Sequence, residues 1–496
     1  MRRTSWPAWL LLVGLTALYS CRSAQSGTDG KGGVAKPNFV FILVDDLGWA
    51  DIGANNPQTF YETPNIDGLA SRGMRFTNAY AACSVCSPTR ASILSGKYPA
   101  RLGTTDYFGA QQPDRVRGNR PLLPARYVDR LPLEESTIAE VLRDKGYATF
   151  FAGKWHLGGK GYFPTDQGFE INCGGNARGG PYGGKRYFSP YGNPQLSDGP
   201  PGEHLPARLG RETAAFIHEN RARPFLAYLS FYSVHTPLMT RKDLVEKYQK
   251  KRKTLRHEGP KFLPEGRRKA RQYQDHAVYA GMVEAMDSAV GEVLATLERD
   301  GLAGKTVVIF MSDNGGLSTS EGSPTSNLPL RAGKGWLYEG GIREPMIIRW
   351  PGTTTPGSQC DVPVISTDFY PTILEMAGLP LRPEQHMDGR SLTPVLRDPS
   401  STLGREALYW HYPHYSNQGG RPAGAIRLGN LKLIESYEDG SVELYDLAKD
   451  IGEKRDLAAK MPDKAAALHK MLATWRESVS ARMPTPNPNF KRPRRK

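Results

Sequence analysis

Two short apolar stretches of the chain end in oxygen-bearing side chains. NFVFILV (38–44) and TVVIFM (306–311) both read as buried strands. The side chains that follow are Asp45 and Asp46 after the first stretch, and Ser312, Asp313 and Asn314 after the second. Carboxylate and amide oxygens suit Ca²⁺ or Mg²⁺, whereas zinc prefers imidazole and thiolate. An Asp-Asp pair can also be a turn or a helix cap, but two such groups at two strand ends favour a metal site.

Basic side chains follow other apolar stretches of the same kind. The stretches are YATFFA (147–152) and FLAYLSF (225–231). The basic residues are Lys154 and His156 after the first, His235 after the second, and Lys334 in LRAGKGWLYEGGIREP. Each is unremarkable alone, because a single His or Lys after a strand is usually a surface residue. Together, beside an oxygen-lined metal site, they predict a clamp for an anion with a proton donor next to it.

The segment SVCSPTRASILSGKYP (84–99) contains an unpaired thiol, Cys86. Cys83 lies three residues before it, so a redox pair or a zinc site has to be considered. Neither is well supported, since the chain has no second close cysteine pair for zinc and Pro88-Thr89-Arg90 has no role in a redox pair. The cysteines other than Cys21 are too few and too scattered for a disulfide framework.

The same segment resembles the signature of the type I sulfatases. Cys86-Ser87-Pro88-Thr89-Arg90, followed by Leu94-Ser95-Gly96-Lys97, matches Cys-x-Pro-x-Arg followed by Leu-x-Gly-Lys or Leu-x-Gly-Arg. The one departure is Thr89, where serine or alanine is commoner. The resemblance covers nearly all of the chain after residue 37. Within the type I sulfatases, the chain resembles the arylsulfatase A and N-acetylgalactosamine sulfatase group and the bacterial polysaccharide sulfatases.

The resemblance implies that Cys86 is oxidised after synthesis to formylglycine (3-oxoalanine). The modifying partner would be a formylglycine-generating enzyme or an anaerobic sulfatase maturase. A hydrated aldehyde offers two geminal hydroxyls, one of which attacks sulfur while the ester oxygen leaves protonated. The resemblance also implies a calcium ion, in preference to Mg²⁺, with ligands Asp45, Asp46, Cys86, Asp313 and Asn314.

The remaining catalytic roles are likewise implied by the resemblance. Arg90 and Lys154 would fix and polarise the formylglycine, and His156 would contact its hydroxyl. We expect His156 to act near its ordinary pKa, as a base that releases sulfate. His235 and Lys334 would hold the sulfate, with His235 as the acid for the leaving alcohol.

The elements that must position these residues form an α/β fold. Continuous apolar stretches predict buried parallel strands, and a further one is predicted at MIIRW (346–350). Helices are predicted at 137–146, which opens with a Thr-x-x-Glu capping box, and around residues 279–297. The resemblance implies an alkaline-phosphatase-like sandwich with a large mixed, mostly parallel sheet. Residues 425–450 alternate like antiparallel strands joined by turns at Gly429-Asn430 and Asp439-Gly440, and a last helix is predicted at 463–483.

The chain ends and the domain boundaries are predicted from composition. Arg2 and Arg3 precede an apolar stretch too short to span a bilayer comfortably, which is typical of a secretory signal. Leu18-Tyr19-Ser20-Cys21 resembles a bacterial lipobox with Cys21 lipidated, although ordinary cleavage after Ala24 stays open. We therefore expect a periplasmic or cell-surface lipoprotein with no other membrane contact. The predicted segments are a signal peptide (1–21), a linker (22–36), the catalytic domain (37–395), a C-terminal α+β subdomain (396–484) and a basic tail (485–496).

The net charge of +15 favours a polyanionic partner. The excess lies partly in residues 247–272 and 491–496, although such runs are more often solvated surfaces. Nucleic acid is a poor candidate because no nucleic-acid-binding motif accompanies the charge. A sulfated polysaccharide fits better.

The resemblance leaves the substrate less defined. We expect exo-acting removal of sulfate from galactose or N-acetylgalactosamine units, as in the degradation of carrageenan or a glycosaminoglycan. Candidate substrate contacts, besides Lys154, His235 and Lys334, are His411 and His414 and the glycine-rich loop 173–187, which can equally be a plain surface insertion. The alternatives are a phosphate or phosphonate monoester hydrolase of the same superfamily, and an inactive glycan-binding lipoprotein.

Overall fold

The computed structural model describes residues 36–182 and 187–491. The predicted signal peptide with Cys21, nearly all of the linker, part of the glycine-rich loop and the end of the basic tail lie outside the described residues. The strands are β1 (Asn38–Val44), β2 (Met74–Phe76), β3 (Ala79–Tyr80), β4 (Leu122–Leu123), β5 (Ala148–Gly153), β6 (Ile171–Cys173), β7 (Phe225–Ser230), β8 (Phe262–Glu265), β9 (Arg268–Arg271), β10 (Thr306–Ser312), β11 (Met346–Arg349), β12 (Ser358–Cys360), β13 (Val364–Ile365), β14 (Ala407–Tyr412), β15 (Ala423–Leu428), β16 (Leu431–Ser436), β17 (Val442–Asp446) and β18 (Thr485–Pro486).

Helices connect most of these strands. They are α1 (Pro64–Arg72), α2 (Cys86–Ser95), α3 (Pro99–Leu102), α4 (Ile138–Asp144), α5 (Leu205–Glu219), α6 (Lys242–Arg252), α7 (Ala277–Arg299), α8 (Glu339–Ile342), α9 (Phe369–Met376), α10 (Thr393–Arg397) and α11 (Pro462–Ser478). Short 3₁₀ helices lie at Trp49–Asp51, Pro164–Gln167, Ala303–Lys305 and Ser366–Asp368. Among the described residues, no helix is long and apolar enough to cross a membrane.

A large mixed sheet of eight strands forms the centre of the fold, in the order β12-β2-β11-β10-β1-β7-β5-β6. The block β10-β1-β7-β5-β6 is parallel throughout, as predicted. β11 was predicted as a parallel strand, and this is wrong, because it runs antiparallel to both β10 and β2. A continuous apolar stretch indicates burial on both faces of a sheet, and it carries no information on strand direction.

Helices cover both faces of this sheet. Along β1, Val40, Ile42 and Val44 pack into one core with α5 and α7, while Phe39 and Phe41 pack into a second core with α2, α4 and α9. Successive strand residues point to opposite faces, so every side chain of β1 is buried. The predicted capping box of α4 is present, since Thr137 and Glu140 exchange hydrogen bonds.

A small antiparallel sheet lies in the C-terminal region, in the order β14-β15-β16-β17. Its turns fall at the predicted positions, with Gly429 and Gly440 both at positive φ. α11 ends at Ser478, before the predicted end at residue 483, and Ser480 has a φ of 52° that a continuing helix does not allow. Strand β14 was not predicted. The boundary predicted between residues 395 and 396 stays a prediction.

Candidate active site

The carboxyl ends of four adjacent parallel strands carry the residues that the sequence marked out. Asp45 and Asp46 follow β1, Asp313 follows β10, and Lys154 follows β5 directly. His235 comes five residues after the end of β7. Because parallel strands end at the same edge of a sheet, their loops meet there. The predicted clustering is therefore a consequence of the order β10-β1-β7-β5.

Three buried carboxylates form the centre of the cluster. Asp45, Asp46 and Asp313 each offer an oxygen within 4.8 Å of the others, and none is exposed to solvent. Burial, and then the neighbouring carboxylates Asp313 and Asp46, raise the pKa of Asp45 well above its ordinary value, although Lys154 opposes the shift. A cation between these carboxylates would remove that penalty.

The donor set fits a hard divalent cation. Oδ1 of Asp45 and Oδ1 of Asn314 are both buried without a hydrogen-bond partner among the described residues. Nδ2 of Asn314 donates to Asp46 at 2.8 Å, which holds the amide with its oxygen free. Buried oxygens without partners are costly, and a cation held among the three carboxylates would satisfy these two. Three carboxylates and one amide oxygen match the chemistry of Ca²⁺ or Mg²⁺.

Each carboxylate also has its own cation. Nζ of Lys154 lies 2.6 Å from Asp45, and Nζ of Lys334 lies 2.7 Å from Asp46. Nε of Arg90 donates a hydrogen bond to Oδ2 of Asp313 at 2.8 Å, and Nη2 of Arg90 forms an ion pair with the same oxygen at 2.7 Å. Lys334 and His235 lower the pKa of Asp46 against the effect of burial, and Asp46 in turn raises the pKa of Lys334 well above its ordinary value, despite burial. Both groups therefore keep their charges across the physiological range.

Cys86 is the first residue of α2 and lies next to His156. Its Sγ is 3.3 Å from Nδ1 of His156, and both side chains are buried. Nε2 of His156 lies 2.9 Å from the carbonyl oxygen of Phe108. A carbonyl can only accept, so Nε2 carries the hydrogen and Nδ1 presents its lone pair to residue 86. This geometry is that of a base aimed at the side chain of residue 86.

The pKa of His156 differs from the expectation. Burial lowers it well below the ordinary value, and the charge of Lys154 lowers it further. The expectation that His156 titrates near its ordinary pKa is therefore wrong, and the ring is neutral throughout the physiological range. His156 has a φ of 56° and Asp46 a φ of 62°, a left-handed conformation that is uncommon for residues other than glycine and is often found at functional sites.

His235 and Lys334 both lie close to the carboxylate of Asp46. Nδ1 of His235 donates to the carbonyl of Thr236 at 2.7 Å, which leaves Nε2 facing Asp46 at 3.8 Å. Burial, followed by the charge of Lys334, lowers the pKa of His235 to about 3. The ring is therefore neutral in the protein without substrate, and its free nitrogen points toward the charged centre.

The glycine-rich loop lies against both histidines in its described part. A Cβ on Gly179 would come within 2.6 Å of the His156 ring, and one on Gly180 would lie 3.9 Å from Nδ1 of His235. The backbone N–H of His156 donates to the carbonyl of Asn176 at 3.0 Å. This part of the loop is a wall of the site and not a plain surface insertion. Residues 183–186 lie outside the described residues.

His411 lies in β14, and His414 follows two residues after the end of that strand. Both are buried, because β14 packs against α11 and because His414 lies against Asp106. His411 bonds to the Tyr437 hydroxyl at 2.8 Å and to the carbonyl of Arg482 at 2.9 Å. His414 bonds to Thr105 at 2.8 Å. Both rings bond to partners inside the protein, which argues against direct contact of either histidine with a sugar.

Two further groups at the site did not stand out in the sequence. Ser230, the last residue of β7, accepts a hydrogen bond from Arg90 at 2.6 Å and donates one to the carbonyl of Lys154 at 2.7 Å. The sequence signal that could have indicated Ser230 is its position as a polar residue at the carboxyl end of an apolar strand. The carbonyl of Phe108 orients His156 through the backbone, so no side-chain type could have indicated it.

Thr89 is the one residue that departs from the sulfatase signature. Its hydroxyl donates a hydrogen bond to the backbone carbonyl of Cys83 at 3.1 Å.

Comparison with known proteins identifies the family. The sulfatase family model matches residues 37–379, and the model described as N-sulphoglucosamine sulphohydrolase, C-terminal, matches residues 332–478. A sulfatase of Formosa agariphila is 33% identical over 94% of this chain and 93% of its own length. Human arylsulfatase A is 31% identical over 88% of this chain and 87% of its own length.

Solved structures agree with the fold. The crystal structure of Ps i-CgsB has a TM-score of 0.72 and 26% identity, covering 92% of this chain and 94% of its own. The same protein has been solved in complex with k-i-k-neocarrahexaose, with the same TM-score and identity. The matched family model, the related sequences and the shared fold together show that the chain belongs to the sulfatase family, the enzymes that hydrolyse sulfate esters.

Proposed function

We propose that the protein removes sulfate from a sulfated carbohydrate by means of a formylglycine made from Cys86. The observation that carries the proposal is the 3.3 Å approach of Sγ of Cys86 to Nδ1 of His156, beside three buried carboxylates and two buried lysines. The thiol is buried and close to a neutral imidazole, and the carboxylates next to it suit a metal ion. If an oxygen replaces the sulfur of residue 86, as in formylglycine, that oxygen lies within hydrogen-bond reach of Nδ1 of His156.

Formylglycine, once hydrated, supplies a hydroxyl that can attack sulfur. Around that position, this chain provides the base and the charges. His156 presents the lone pair of Nδ1 and can take up a proton there, while the Phe108 carbonyl keeps the other nitrogen protonated. Arg90 is held by Asp313 and Ser230, and its charge lies at the base of the site. Residue 86 therefore lies in a buried site where three cations are paired with three carboxylates, and a bound divalent cation would give that site the net positive charge that favours an oxyanion.

The metal would be held by Asp45, Asp46, Asp313 and Asn314, with residue 86 completing the set, and we propose Ca²⁺. Such an ion supplies positive charge that polarises sulfuryl oxygens. Lys154 and Lys334 stay paired with Asp45 and Asp46 and orient those carboxylates. The same lysines would present charge to an incoming sulfate group.

His235 is proposed as the proton donor to the leaving alcohol. It is neutral without substrate, since its pKa is held at about 3 by burial and by Lys334. A bound sulfate ester brings a negative charge next to it, and a nearby opposite charge raises the pKa of a histidine. The substrate itself therefore promotes protonation of Nε2, which is the nitrogen left free by the bond to Thr236.

His235→Gln tests this assignment through the leaving group. We expect the variant to lose about 10²-fold or more in kcat on a sugar sulfate, whose alcohol needs a proton as it leaves. The loss should be much smaller on 4-nitrophenyl sulfate, because an acidic phenol leaves without help. Measured kcat values for the two substrates give the comparison. An equal loss on both would assign His235 to sulfate binding alone.

The substrate is proposed to be a galactose or N-acetylgalactosamine sulfate at the end of a carbohydrate chain. Support comes from Ps i-CgsB, which shares the fold over nearly the whole chain and has been solved with a carrageenan oligosaccharide. The test is sulfate release from a panel of sulfated mono- and disaccharides, with mass spectrometry of the peptide that contains Cys86. We expect formylglycine at residue 86 and release from galactose-type sulfates.

The panel also separates the alternatives. Faster turnover of an aryl phosphate than of an aryl sulfate would indicate a phosphate or phosphonate monoester hydrolase. Unmodified Cys86 without release, in a host that matures a control sulfatase, would indicate a glycan-binding lipoprotein.

Maturation requires a formylglycine-generating enzyme or an anaerobic sulfatase maturase as partner. We also propose that the protein is exported as a lipoprotein anchored through Cys21. Mass spectrometry of the mature N-terminal peptide would detect the lipid on Cys21.

A further inference from the structure

A basic groove lies beside the proposed sulfate clamp and is not explained by the chemistry at residue 86. It is a cavity of about 240 Å³ between the β8–β9 hairpin and the C-terminal region. The residues that define this arginine groove are Arg120, Arg267, Arg268, Arg421, Trp336 and Tyr415. Glu438 is the one carboxylate among the lining residues. Arginine is the side chain best suited to binding planar or tetrahedral oxyanions through several hydrogen bonds.

Most of the positive charge in the arginine groove is unpaired. Arg421 lies 3.7 Å from Glu438, which also accepts a hydrogen bond from Tyr415 at 2.7 Å. In the part of the chain that the structure describes, Arg120, Arg267 and Arg268 form no ion pair within 4.0 Å. Clustering like charges without partners raises the local potential and attracts anions from solution.

Two of these arginines are held in place by neutral contacts. The guanidinium of Arg120 lies over the Tyr415 ring, 4.5 Å from its centroid. Nη2 of Arg268 donates to the carbonyl of Asn417 at 2.6 Å. These contacts fix the side chains without neutralising them. Arg120 and Arg268 thus present their remaining donors at fixed positions, which lowers the entropy cost of binding an anion.

The arginine groove adjoins the proposed sulfate clamp through a short piece of backbone. Trp336 comes two residues after Lys334, and Gly335 between them donates its N–H to the carbonyl of Ser84 at 2.8 Å. A Cβ on Gly335 would lie 2.0 Å from Oγ of Ser416, and one on Gly420 would lie 1.8 Å from the carbonyl of Gly335. Only glycine allows this close packing. The floor of the groove is therefore continuous with the segment that holds Lys334.

We propose that the arginine groove binds a second sulfate group of a multiply sulfated oligosaccharide whose first sulfate ester lies beside Lys334. This inference rests on the proposed function and narrows its substrate to chains with sulfates on more than one sugar position. It assigns a binding role to part of the positive charge in residues 247–272. The groove arginines bind and orient the substrate, and they take no part in the bond cleavage.

The test compares two double variants with the same loss of charge. Arg267→Gln with Arg268→Gln alters the groove, and Lys253→Gln with Arg256→Gln removes two exposed cations near the end of α6. The measurement is inhibition of 4-methylumbelliferyl sulfate hydrolysis by a fully sulfated heparin tetrasaccharide. Each inhibition constant is divided by the same variant's KM for the aryl sulfate. We expect this ratio to rise roughly 10-fold in the groove variant and to stay within about 2-fold of wild type in the control.

Three results would overturn the inference. An equal rise in both variants would show a general effect of net charge, and absence of inhibition in the wild type would show that the groove does not bind sulfate. Equal inhibition by an unsulfated tetrasaccharide with the same uronates would show that carboxylates are recognised instead. Failure of the proposed function has a different result, which is no hydrolysis of the aryl sulfate. Calorimetric titration with the tetrasaccharide still measures the groove in that case.

Discussion

Cys86→Ala is expected to lower kcat/KM for any sulfate ester by at least about 10⁴-fold, because it removes the side chain from which the proposed nucleophile is made. The fold should be retained, since Cys86 is the first residue of α2 and its Sγ contacts His156 and no apolar core. The measurement is hydrolysis of 4-methylumbelliferyl sulfate by protein expressed in a host that matures a known sulfatase. Thermal unfolding of the same samples checks that the variant is folded.

Cys83→Ala is the matched control for this variant. Cys83 is also buried, and it lies three residues before Cys86 in the same segment. Burial raises the pKa of its thiol far above the ordinary value, and its backbone N–H and carbonyl both bond to the hydroxyl of Thr89. We expect this variant to keep activity within about 3-fold of wild type, since removing one sulfur from an apolar core costs mainly stability. Activity above a tenth of wild type in Cys86→Ala would refute the proposed nucleophile.

Removal of divalent metal lowers kcat by about 10³-fold, because several kcal/mol of charge stabilisation is lost at the sulfuryl oxygens. The structural basis is the group of three carboxylates within 4.8 Å and the two buried oxygens without partners, on Asp45 and Asn314. Dialysis against a chelator followed by addition of Ca²⁺ or Mg²⁺ gives the measurement. We expect recovery with Ca²⁺ to be the more complete, as flexible oxygen sites with several carboxylates favour the larger ion.

Thermal unfolding provides a second readout that does not depend on turnover. A ligand that binds only the native state stabilises it by about 4 kcal/mol at 1,000 times its dissociation constant. The melting temperature should therefore rise on addition of Ca²⁺, in the wild type and equally in Cys83→Ala. Asn314→Ala should reduce that shift, since it removes one oxygen and the bond that orients Asp46. No shift in the wild type, together with unchanged activity after chelation, would exclude a resident metal.

Much of the site could be predicted from the chain because its chemistry is tied to strand ends. Asp45, Asp46 and Asp313 follow apolar strands directly, and parallel strands in one sheet end at one edge. The capping box of α4 and the turns of the C-terminal sheet were also predictable, since each depends on residues close in sequence. Local patterns and strand-end positions are properties that a sequence carries in itself.

Other features depend on contacts between distant segments. The direction of β11 depends on which strands lie beside it, and an apolar stretch looks the same in either direction. The burial of His411 and His414 was missed because β14 is packed by α11 and by the loop at residue 106, both remote in sequence.

The sequence by itself identified the candidate groups of this protein, which are the oxygen-bearing side chains, the two lysines, the two histidines and Cys86, and the segment around Cys86 carries the motif that resembles the sulfatase signature. Only the tertiary structure decided how those groups are paired and charged. The lone pair of His156 points at residue 86 because a backbone carbonyl 48 residues away accepts the hydrogen of its other nitrogen. The arginine groove lies next to the segment that holds Lys334 because the backbone at Gly335 and Gly420 packs closely. Tautomers, pKa values and grooves follow from burial and distance, which residue types alone do not specify.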